Sequence, residues 1–260
     1  MDKASLVPEE RRRRIAERIR ENGSVTVAML EAEFGVSPMT ARRDLSALEA
    51  EGRARRTHGG AVLPGVAGHE DSFQQRLDVA VEAKQRLARA AVQLLEPGET
   101  VFIDSSTSAY YAARGVLTDG LKATLLTNSV PVMDLFSEKD SPNVDLVGVG
   151  GSLRKRTLSF VGPQAVRAVQ AFFADKVFLS VKGVTPDGYL TDPDPLEAEV
   201  KRAMIGRAEQ PVLLVDRSKF EQRGLSVIAH ISDLAMVLAA DIPDEGLESL
   251  TSAGVEVRQV

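Results

Sequence analysis

The stretch that decides the fold of the N-terminal part reads Ser37-Pro38-Met39-Thr40-Ala41-Arg42-Arg43-Asp44-Leu45-Ser46-Ala47-Leu48-Glu49-Ala50-Glu51-Gly52. It predicts one helix, at about 38–51, with both ends marked. Ser37 can cap the N-terminus, and Pro38 suits the first helical position, where no backbone N–H is needed. Gly52 supplies a left-handed residue that ends the helix. Apolar residues at helical spacing, namely Ala41, Leu45 and Leu48, predict one buried face.

The other sides of this helix are small and polar at the start and carry an Arg pair one turn further on. Ser or Thr can contact a base or a phosphate, and Arg can bind a guanine edge or a phosphate with two hydrogen bonds. The residues predicted to contact DNA here are Ser37, Met39, Thr40, Arg42 and Arg43. Taken alone, the helix leaves open an ordinary solvated charged face.

The residues before this helix predict two more helices, at 8–22 and 27–34, with Thr26 as the N-cap of the second. Gly35 turns the chain into the third helix, which is the helix-turn-helix arrangement. After it, 53–57 and 61–63 read as two strands joined at Gly59-Gly60, a basic wing that would lie against the DNA backbone. The wing adds Arg55, Arg56 and His58 to the predicted DNA contacts. This context favours DNA binding over the solvated face.

The charge distribution supports this interpretation although the net charge is −5 over 260 residues. Residues 1–62 carry 12 Lys and Arg against 10 Asp and Glu, which leaves 20 against 27 in the remainder. A basic N-terminal part can therefore face phosphates while the rest stays acidic.

Composition also excludes several classes of protein and site. No Cys is present and there are only three His, so we expect no disulfide, no metal site and no cofactor. No apolar run approaches the roughly 20 residues of a membrane span. The Glu- and Arg-rich start does not resemble a signal peptide, and we expect a cytoplasmic protein.

The rest of the chain predicts an α/β domain at 82–260, after a linker at 63–81. A helix at 82–95 is followed by short β-branched or apolar runs that alternate with helical stretches, a pattern typical of a largely parallel sheet covered on both faces. The predicted strands are Thr100–Ile103, Thr124–Leu126, Val144–Val149, Val177–Val181, Val212–Val215, Leu234–Ala239 and Val255–Val260. The predicted helices between them are about 107–117, 131–138, 162–173, 195–208 and 243–253.

Ligands of such sheets bind at the carboxyl ends of strands, often at helix N-termini. The strongest candidate is the loop Asp104-Ser105-Ser106-Thr107-Ser108, whose hydroxyls and backbone N–H groups could surround a phosphate. Simple N-capping, which needs one hydroxyl, is the alternative. Weaker candidates at other strand ends are Asn128, Lys182, Gly183, Asp192 and Lys219. The Gly-rich run 148–154 lacks the spacing of a dinucleotide-binding loop.

At this point the sequence resembles the DeoR family of bacterial transcriptional regulators. The N-terminal motifs that carry the resemblance are Arg11-Arg12-x-x-Ile15, Phe34-Gly35-Val36-Ser37, Thr40-Ala41-Arg42-Arg43-Asp44-Leu45 and Arg56-Thr57-His58-Gly59-Gly60-Ala61. The C-terminal segments are Gly150 to Arg154, Thr157 to Pro163, Leu190-Thr191-Asp192, Glu197-x-Glu199-Val200-Lys201 and Asp216-x-Ser218-Lys219. The chain departs from the family at Met39 and Ala41, which affects operator preference.

The resemblance implies a winged helix-turn-helix domain at 7–62 and a Rossmann-like sensor domain that resembles sugar-phosphate isomerases. It further implies that Asp104 to Ser108 hold the phosphate of a sugar phosphate, with Asn128, Lys182, Asp192 and Lys219 around the rest. A Gly common in the family's first loop is absent at Ser106-Thr107-Ser108. Lys182 stands where many members have a small or polar residue.

Two functions follow as hypotheses. The first is a repressor of carbohydrate or polyol genes that binds operator double-stranded DNA as a dimer or tetramer and responds to a phosphorylated sugar. The second is a sugar-phosphate isomerase-like enzyme with a DNA-binding appendage, using Asp104, Asp192, Glu197 or Glu199 for acid–base chemistry. No paired acid and base stand at a defensible spacing, so we expect a regulator without catalytic residues.

Overall fold

The computed structural model describes residues 7–22, 24–57, 60–62, 71–138 and 141–260. The chain divides into two compact units, Met1–Glu70 and Asp71–Val260. The predicted DNA contact His58 lies outside the described residues, as do residues 63–70 of the predicted linker.

Three helices and a small sheet build the N-terminal unit. The helices are α1 (Pro8–Asn22), α2 (Val27–Phe34) and α3 (Pro38–Ala50). The strands β1 (Ser24–Thr26), β2 (Arg55–Thr57) and β3 (Gly60–Val62) form an antiparallel sheet in the order β1-β3-β2. The predicted winged helix-turn-helix fold is therefore confirmed, and the wing gains β1 as a third strand.

The predicted helix ends are confirmed by their hydrogen bonds. The Thr26 hydroxyl accepts the Met29 N–H at 3.1 Å, and the Ser37 hydroxyl accepts the Thr40 N–H at 3.2 Å. Gly35 and Gly52 are left-handed, with φ of 64° and 68°. Gly60 is the first residue of β3 rather than a turn residue. It lies so close to β1 that a methyl group on it would be 1.9 Å from the Val25 carbonyl oxygen.

All seven predicted strands of the C-terminal unit form one parallel sheet, in the order β15-β14-β12-β9-β4-β5-β6. The two directions of winding start from β4 and β9, which lie side by side. The strands are β4 (Thr100–Ile103), β5 (Ala123–Thr127), β6 (Val144–Gly148), β9 (Ala174–Leu179), β12 (Ala208–Asp216), β14 (Met236–Ala240) and β15 (Glu256–Gln259).

Helices cover both faces of this sheet, and a separate apolar cluster fills each side. Phe102 and Leu213 belong to one cluster, and Ile103 and Leu214 to the other, because successive strand residues point to opposite faces. The helices are α4 (Phe73–Leu77), α5 (Val81–Val92), α6 (Thr107–Asp119), α7 (Val130–Ser137), α8 (Pro163–Gln170), α9 (Pro195–Ile205) and α10 (Asp244–Ser252). Among the described helices, none combines the length and apolar character needed to cross a membrane.

Three features of this unit are absent from the sequence-based prediction. Helix α4 lies within the predicted linker 63–81, and Phe73 is buried, so the linker prediction extends too far. Short antiparallel pairs also form, one by β7 (Ser152–Arg154) with β8 (Ser159–Val161). The other sheet contains β10 (Gly183–Val184), β11 (Tyr189–Asp192) and β13 (Ser226–His230). Strands and helices this short carry too few residues for periodicity to reveal them.

Candidate functional site

Arg42 and Arg43 stand exposed on α3. Within the described residues, neither guanidinium has an ion-pair or hydrogen-bond partner. Met39, also exposed, lies one turn before them at 66% exposure. The opposite face of α3 packs into the core of the unit through Ala41, Leu45 and Leu48, as predicted. The helix therefore presents two cations whose donors are not used by any residue that the structure describes.

Most of the other N-terminal arginines are paired. Arg13 and Arg14 both bind the Glu10 carboxylate, at 2.7 and 3.0 Å, and Arg18 binds Glu33 at 2.9 Å. Hydrogen bonds from Arg13 and Arg14 lower the pKa of Glu10 to about 2. These charges on the outer face of α1 are therefore paired with carboxylates, whereas those of Arg42 and Arg43 on α3 are not paired with any described residue.

The remaining predicted DNA contacts hold parts of the unit together. Ser37 is the N-cap of α3, and its hydroxyl also meets that of Thr40 at 3.0 Å. Arg56 of β2 donates to the Ser46 hydroxyl at 2.9 Å, and its backbone N–H donates to Glu49. These bonds tie the wing to α3. Arg55 lies in β2, next to Arg56.

In the C-terminal unit, Asp104 stands where the sheet changes its direction of winding, between the ends of β4 and β9. Its carboxylate accepts the backbone N–H of Ser106 at 2.9 Å and that of Ser180 at 3.2 Å. It also accepts the Lys201 ammonium at 2.6 Å. The position is one at which open α/β sheets bind ligands. Asp104 itself is fully engaged in organising the two strand ends.

The four hydroxyls of the predicted phosphate loop divide into two pairs. Ser105 donates to Glu197 at 2.9 Å, and Ser106 caps α6 by accepting the Ala109 N–H at 3.1 Å. The capping alternative is therefore correct for Ser106. Thr107 and Ser108, in the first turn of α6, have no partner within the described residues for either hydroxyl or backbone N–H. Their donors remain available to an anion at the positive end of the helix.

Glu197 and Lys201 come from α9, on its buried side, one turn apart. Glu197 accepts hydrogen bonds from Thr157, at 2.6 Å, and from Ser159. Lys201 lies between Asp104, at 2.6 Å, and Asp192, at 3.6 Å. Burial opposes the charge of Lys201, but the two carboxylates outweigh it and raise its pKa. Asp194 caps the helix by accepting the backbone N–H groups of Leu196 and Glu197.

The other residues predicted to bind the effector come from neighbouring strand ends. Lys182 lies 3.7 Å from the Asp71 carboxylate. Asn128 follows β5, beside β4, and its amide donates to the Phe160 carbonyl at 3.0 Å, while its buried Oδ1 has no partner. Gly183 is confined for a packing reason, because a methyl group there would lie 1.7 Å from the Gln222 carbonyl oxygen. It therefore permits a close backbone approach.

Two lysines of this region have lowered pKa values, chiefly because they are buried. Burial, assisted by the positive charge of Lys219, lowers the pKa of Lys84 to about 8. Burial also lowers the pKa of Lys219, together with the charges of Arg76, Lys182 and Lys201, against the opposing effect of Asp216. We call these five basic residues, with Thr107 and Ser108, the strand-end cluster. Such a collection of cations is stabilised when an anion binds among them.

Several residues of this region were missed as site residues from the sequence. Arg76 fell in the predicted linker, and Lys84 reads as one more charge on a helix. Arg154 ends the Gly-rich run after a predicted strand and was considered only as a possible partner for an anion or a carboxylate. Thr157 and Ser159 follow no predicted strand, so the rule that guided the search did not reach them. Lys201 was noted only in a family segment, and Glu197 was noted there and as an acid–base candidate of the isomerase-like hypothesis, although their i, i+4 spacing on a helix was a usable signal. Among the described residues, no grouping of three His, Asp or Glu suits a metal ion.

Comparison with known proteins agrees with this architecture. Residues 11–65 match the DeoR-like helix-turn-helix domain, and residues 79–240 match the DeoR C terminal sensor domain. The putative aga operon transcriptional repressor of Escherichia coli O157:H7 is 35% identical over 254 residues, covering 95% of this chain and 92% of that protein. The regulator GlpR of Haloferax volcanii is 34% identical over 255 residues, covering 97% and 98%.

A further relative is the glycerol-3-phosphate regulon repressor of Haemophilus influenzae, 30% identical over 234 residues and 90% of each chain. Among solved structures, ribose 5-phosphate isomerase A from Neisseria gonorrhoeae has a TM-score of 0.39 at 13% identity, over 54% of this chain and 53% of that one. A likeness that distant supports no functional argument. The two domain matches and the relatives together show that this chain belongs to the DeoR family of transcriptional regulators, with a DNA-binding domain followed by a sensor domain.

Proposed function

We propose that this protein represses transcription by binding operator DNA through α3 and the wing, and that a phosphorylated sugar at the strand-end cluster controls this binding. The observation that carries the proposal is the combination of two features: donors at the start of α6 that have no partner among the described residues, and a basic group that reaches the same loop. Lys201 binds Asp104 of that loop, and the charges of Lys201, Lys182 and Arg76 act on Lys219. Relatives are named as repressors of the aga operon and of the glycerol-3-phosphate regulon. Both names suit a carbohydrate or polyol effector.

The DNA contacts that we propose are centred on Arg42 and Arg43. Both are exposed and have no partner in the described parts of the chain, and the capped start of α3 brings Met39 and Thr40 to the same end. An Arg that reads a guanine edge contributes about 1–3 kcal/mol of affinity, and an Arg on a phosphate contributes mainly a salt-dependent part. Arg55, Arg56 and His58 of the wing would add contacts to the sugar-phosphate backbone of the DNA. A homodimer or tetramer would match paired operator half-sites.

The effector would place its phosphate at Thr107 and Ser108, near Lys182 and Lys219, with its hydroxyl groups near Asn128 and Asp192. Bound phosphate accepts hydrogen bonds from helix N-terminal N–H groups and relieves the repulsion among the lysines. If the sugar phosphate binds one arrangement of the regulator more tightly than another, it shifts the population toward the first arrangement. The affinity of the protein for its operator would change with that shift. A coupling of about 1–3 kcal/mol corresponds to roughly 5–150-fold.

The same contacts argue against the isomerase-like alternative. Glu197 already accepts hydrogen bonds from three hydroxyls, those of Ser105, Thr157 and Ser159. Lys201 is held by Asp104 and the Ser180 carbonyl, and Glu199 lies on the exposed side of α9. An acid–base catalyst must exchange protons with substrate, whereas these groups are occupied by one another. We therefore propose a regulator that binds the sugar phosphate without converting it.

The DNA-binding part is tested by selecting duplexes from a random library and titrating the wild type and variants at several salt concentrations. Arg42→Ala and Arg43→Ala should each weaken binding roughly 5- to 150-fold or reduce the salt dependence by about one ion. Arg13→Ala, which removes an arginine already paired with Glu10, is the matched control. Unchanged affinity in both α3 variants would remove this helix from the interface.

The effector part is tested by thermal shift with hexose 6-phosphates, glycerol 3-phosphate and the same compounds without phosphate. A true effector raises the melting temperature by mass action and alters operator binding. Thr107→Val and Ser108→Ala should weaken the shift, while Thr118→Ala, at the exposed far end of the same helix, should not. Product formation from any of these compounds would instead support the isomerase-like enzyme.

A further inference from the structure

The segment Asp71–Ala80, which we call the leading segment, packs on the C-terminal unit. Ser72 and Gln75 form a capping box at the start of α4, with bonds of 3.3 and 2.9 Å. The Phe73 N–H donates to the Arg156 carbonyl at 2.9 Å, and the Phe73 ring meets that of Tyr110 edge-on at 5.7 Å. The leading segment is the first described part of the chain after the winged domain.

Arg76, on α4, has two buried nitrogens, Nε and Nη2, without a hydrogen-bond partner in the described part of the chain. A buried charged donor without a partner is strongly unfavourable, and native structures rarely keep one without a ligand, ion or water. Nε and Nη2 also form one edge of the guanidinium plane. That edge is the pair of parallel donors which binds two oxygens of a phosphate or carboxylate.

The surroundings of Arg76 are positive. Its charge acts on both Lys84 and Lys219, and burial with this repulsion lowers the pKa of each lysine. Lys84 also holds the end of α4, because its ammonium donates to the carbonyls of Arg76 and Val79. Lys182 connects the start of the leading segment to the strand end through Asp71, at 3.7 Å. The segment thus reaches the strand-end cluster at both of its ends.

We propose that Arg76 binds the phosphate of the effector through Nε and Nη2, and that this contact clamps the leading segment when the effector is bound. The inference rests on the proposed effector site and adds to it the residue that connects the site to the rest of the chain. The leading segment continues through residues 63–70 into the wing strand β3.

Hydrogen exchange of the full-length protein tests the clamp without any mutation. The probes are hexose 6-phosphates, glycerol 3-phosphate and inorganic phosphate, with the unphosphorylated compounds as controls. A phosphorylated probe should slow exchange in peptides from 71–80 as well as in peptides from 104–110. Slower exchange at 104–110 alone would overturn the role of the leading segment and leave the proposed effector site standing. If no phosphorylated probe binds or slows exchange anywhere, both proposals fall together.

Variants then test Arg76 itself. Arg76→Gln should weaken binding of the phosphorylated probe roughly 10- to 100-fold, the range expected for charge-assisted hydrogen bonds. It should also abolish the effector response of operator binding, measured as the ratio of the operator affinities with and without the phosphorylated probe. Arg76→Lys, which keeps the charge and loses the two-donor edge, should restore only part of the affinity. Arg89→Gln, an exposed arginine on α5, is the matched control. Wild-type probe affinity in Arg76→Gln would overturn the assignment.

Discussion

At the scale of single residues, the N-terminal unit depends on one buried ion pair. Arg11 of α1 binds Asp44 of α3 through two hydrogen bonds, at 2.6 and 3.3 Å, with both side chains less than a tenth exposed. The pair fixes α3 by its buried side and leaves Arg42 and Arg43 on the outside. A buried pair contributes little net stability compared with apolar residues, but losing one partner is strongly destabilising.

Asp44→Ala should therefore lower the free energy of unfolding of this unit by about 3 kcal/mol, because Arg11 would be left charged and buried without Asp44. The chain has no Trp, so exchange of α3 peptides is the suitable measurement. The control is Glu51→Ala, which removes an exposed partner of Arg53, at 3.2 Å, and should change stability by less than about 1 kcal/mol. Equal effects of the two substitutions would contradict the role of the buried pair.

Lys84 provides a prediction on pH. Its pKa is about 8 in the folded protein, below the ordinary 10.5, so the unfolded chain binds more protons between these values. The contribution of Lys84 to the free energy of unfolding must then rise as the pH increases from about 8 to 10.5. In denaturant unfolding across this window, wild type should gain up to about 3 kcal/mol over Lys84→Met. Lys122→Met, at an exposed position, should follow the wild-type profile. If the free energies of unfolding of wild type and Lys84→Met differ by the same amount at every pH in this window, the prediction is wrong.

At the scale of elements, the site depends on how closely short strands approach one another. β10 lies beside β11, and the α-carbon of Gly183 faces the backbone of Gln222. The same small sheet carries Asp192 at the end of β11, and its strand β10 begins directly after Lys182. The geometry of two candidate ligand-binding residues therefore depends on a glycine that itself has no functional group.

Gly183→Ala should destabilise the C-terminal unit by about 1–3 kcal/mol, since the added methyl group must displace backbone. It should also weaken binding of any sugar phosphate found in the thermal-shift screen. Gly150→Ala is the matched control, because nothing lies within 4 Å of the added methyl group. Thermal unfolding of the two variants measures the difference. If Gly183→Ala unfolds like Gly150→Ala, the close approach is not a real constraint.

At the scale of the whole molecule, the apolar clusters divide between the two units. The N-terminal cluster contains residues 15–61, and the two clusters on the faces of the parallel sheet contain residues 83–250. Each unit thus has its own buried core, which is the usual requirement for independent folding. The proposed DNA contacts and the proposed effector contacts belong to different units.

A fragment of residues 71–260 should consequently unfold cooperatively and bind the same sugar phosphate as the full chain, but should not bind operator DNA. The reason is that both sheet-face clusters and all of the strand-end cluster lie within the fragment. Calorimetry of the fragment, with and without the phosphorylated compound, measures both properties. A shorter fragment that starts at residue 81 provides the comparison. It lacks Arg76 and should therefore bind the sugar phosphate more weakly. Equal affinity of the two fragments would contradict the part assigned to the leading segment.

The sequence by itself determined the winged helix-turn-helix, the order of the seven parallel strands along the chain and the loop at 104–108. Capping residues, Gly turns and long apolar runs are local signals, and local signals can be read without knowing the fold. Hydroxyl-rich residues after a strand likewise pointed to the edge of the sheet at which we propose the effector site.

Only the tertiary structure decided which of these side chains remain available. Ser105 and Ser106 are used internally and Thr107 and Ser108 are not, a division that depends on Glu197 arriving from α9. Arg76 reaches the region from a segment that reads as linker, and Asp104 is occupied by Lys201, 97 residues away. Contacts between residues so distant in sequence leave no periodic or spacing signal, because they are set by how the elements pack.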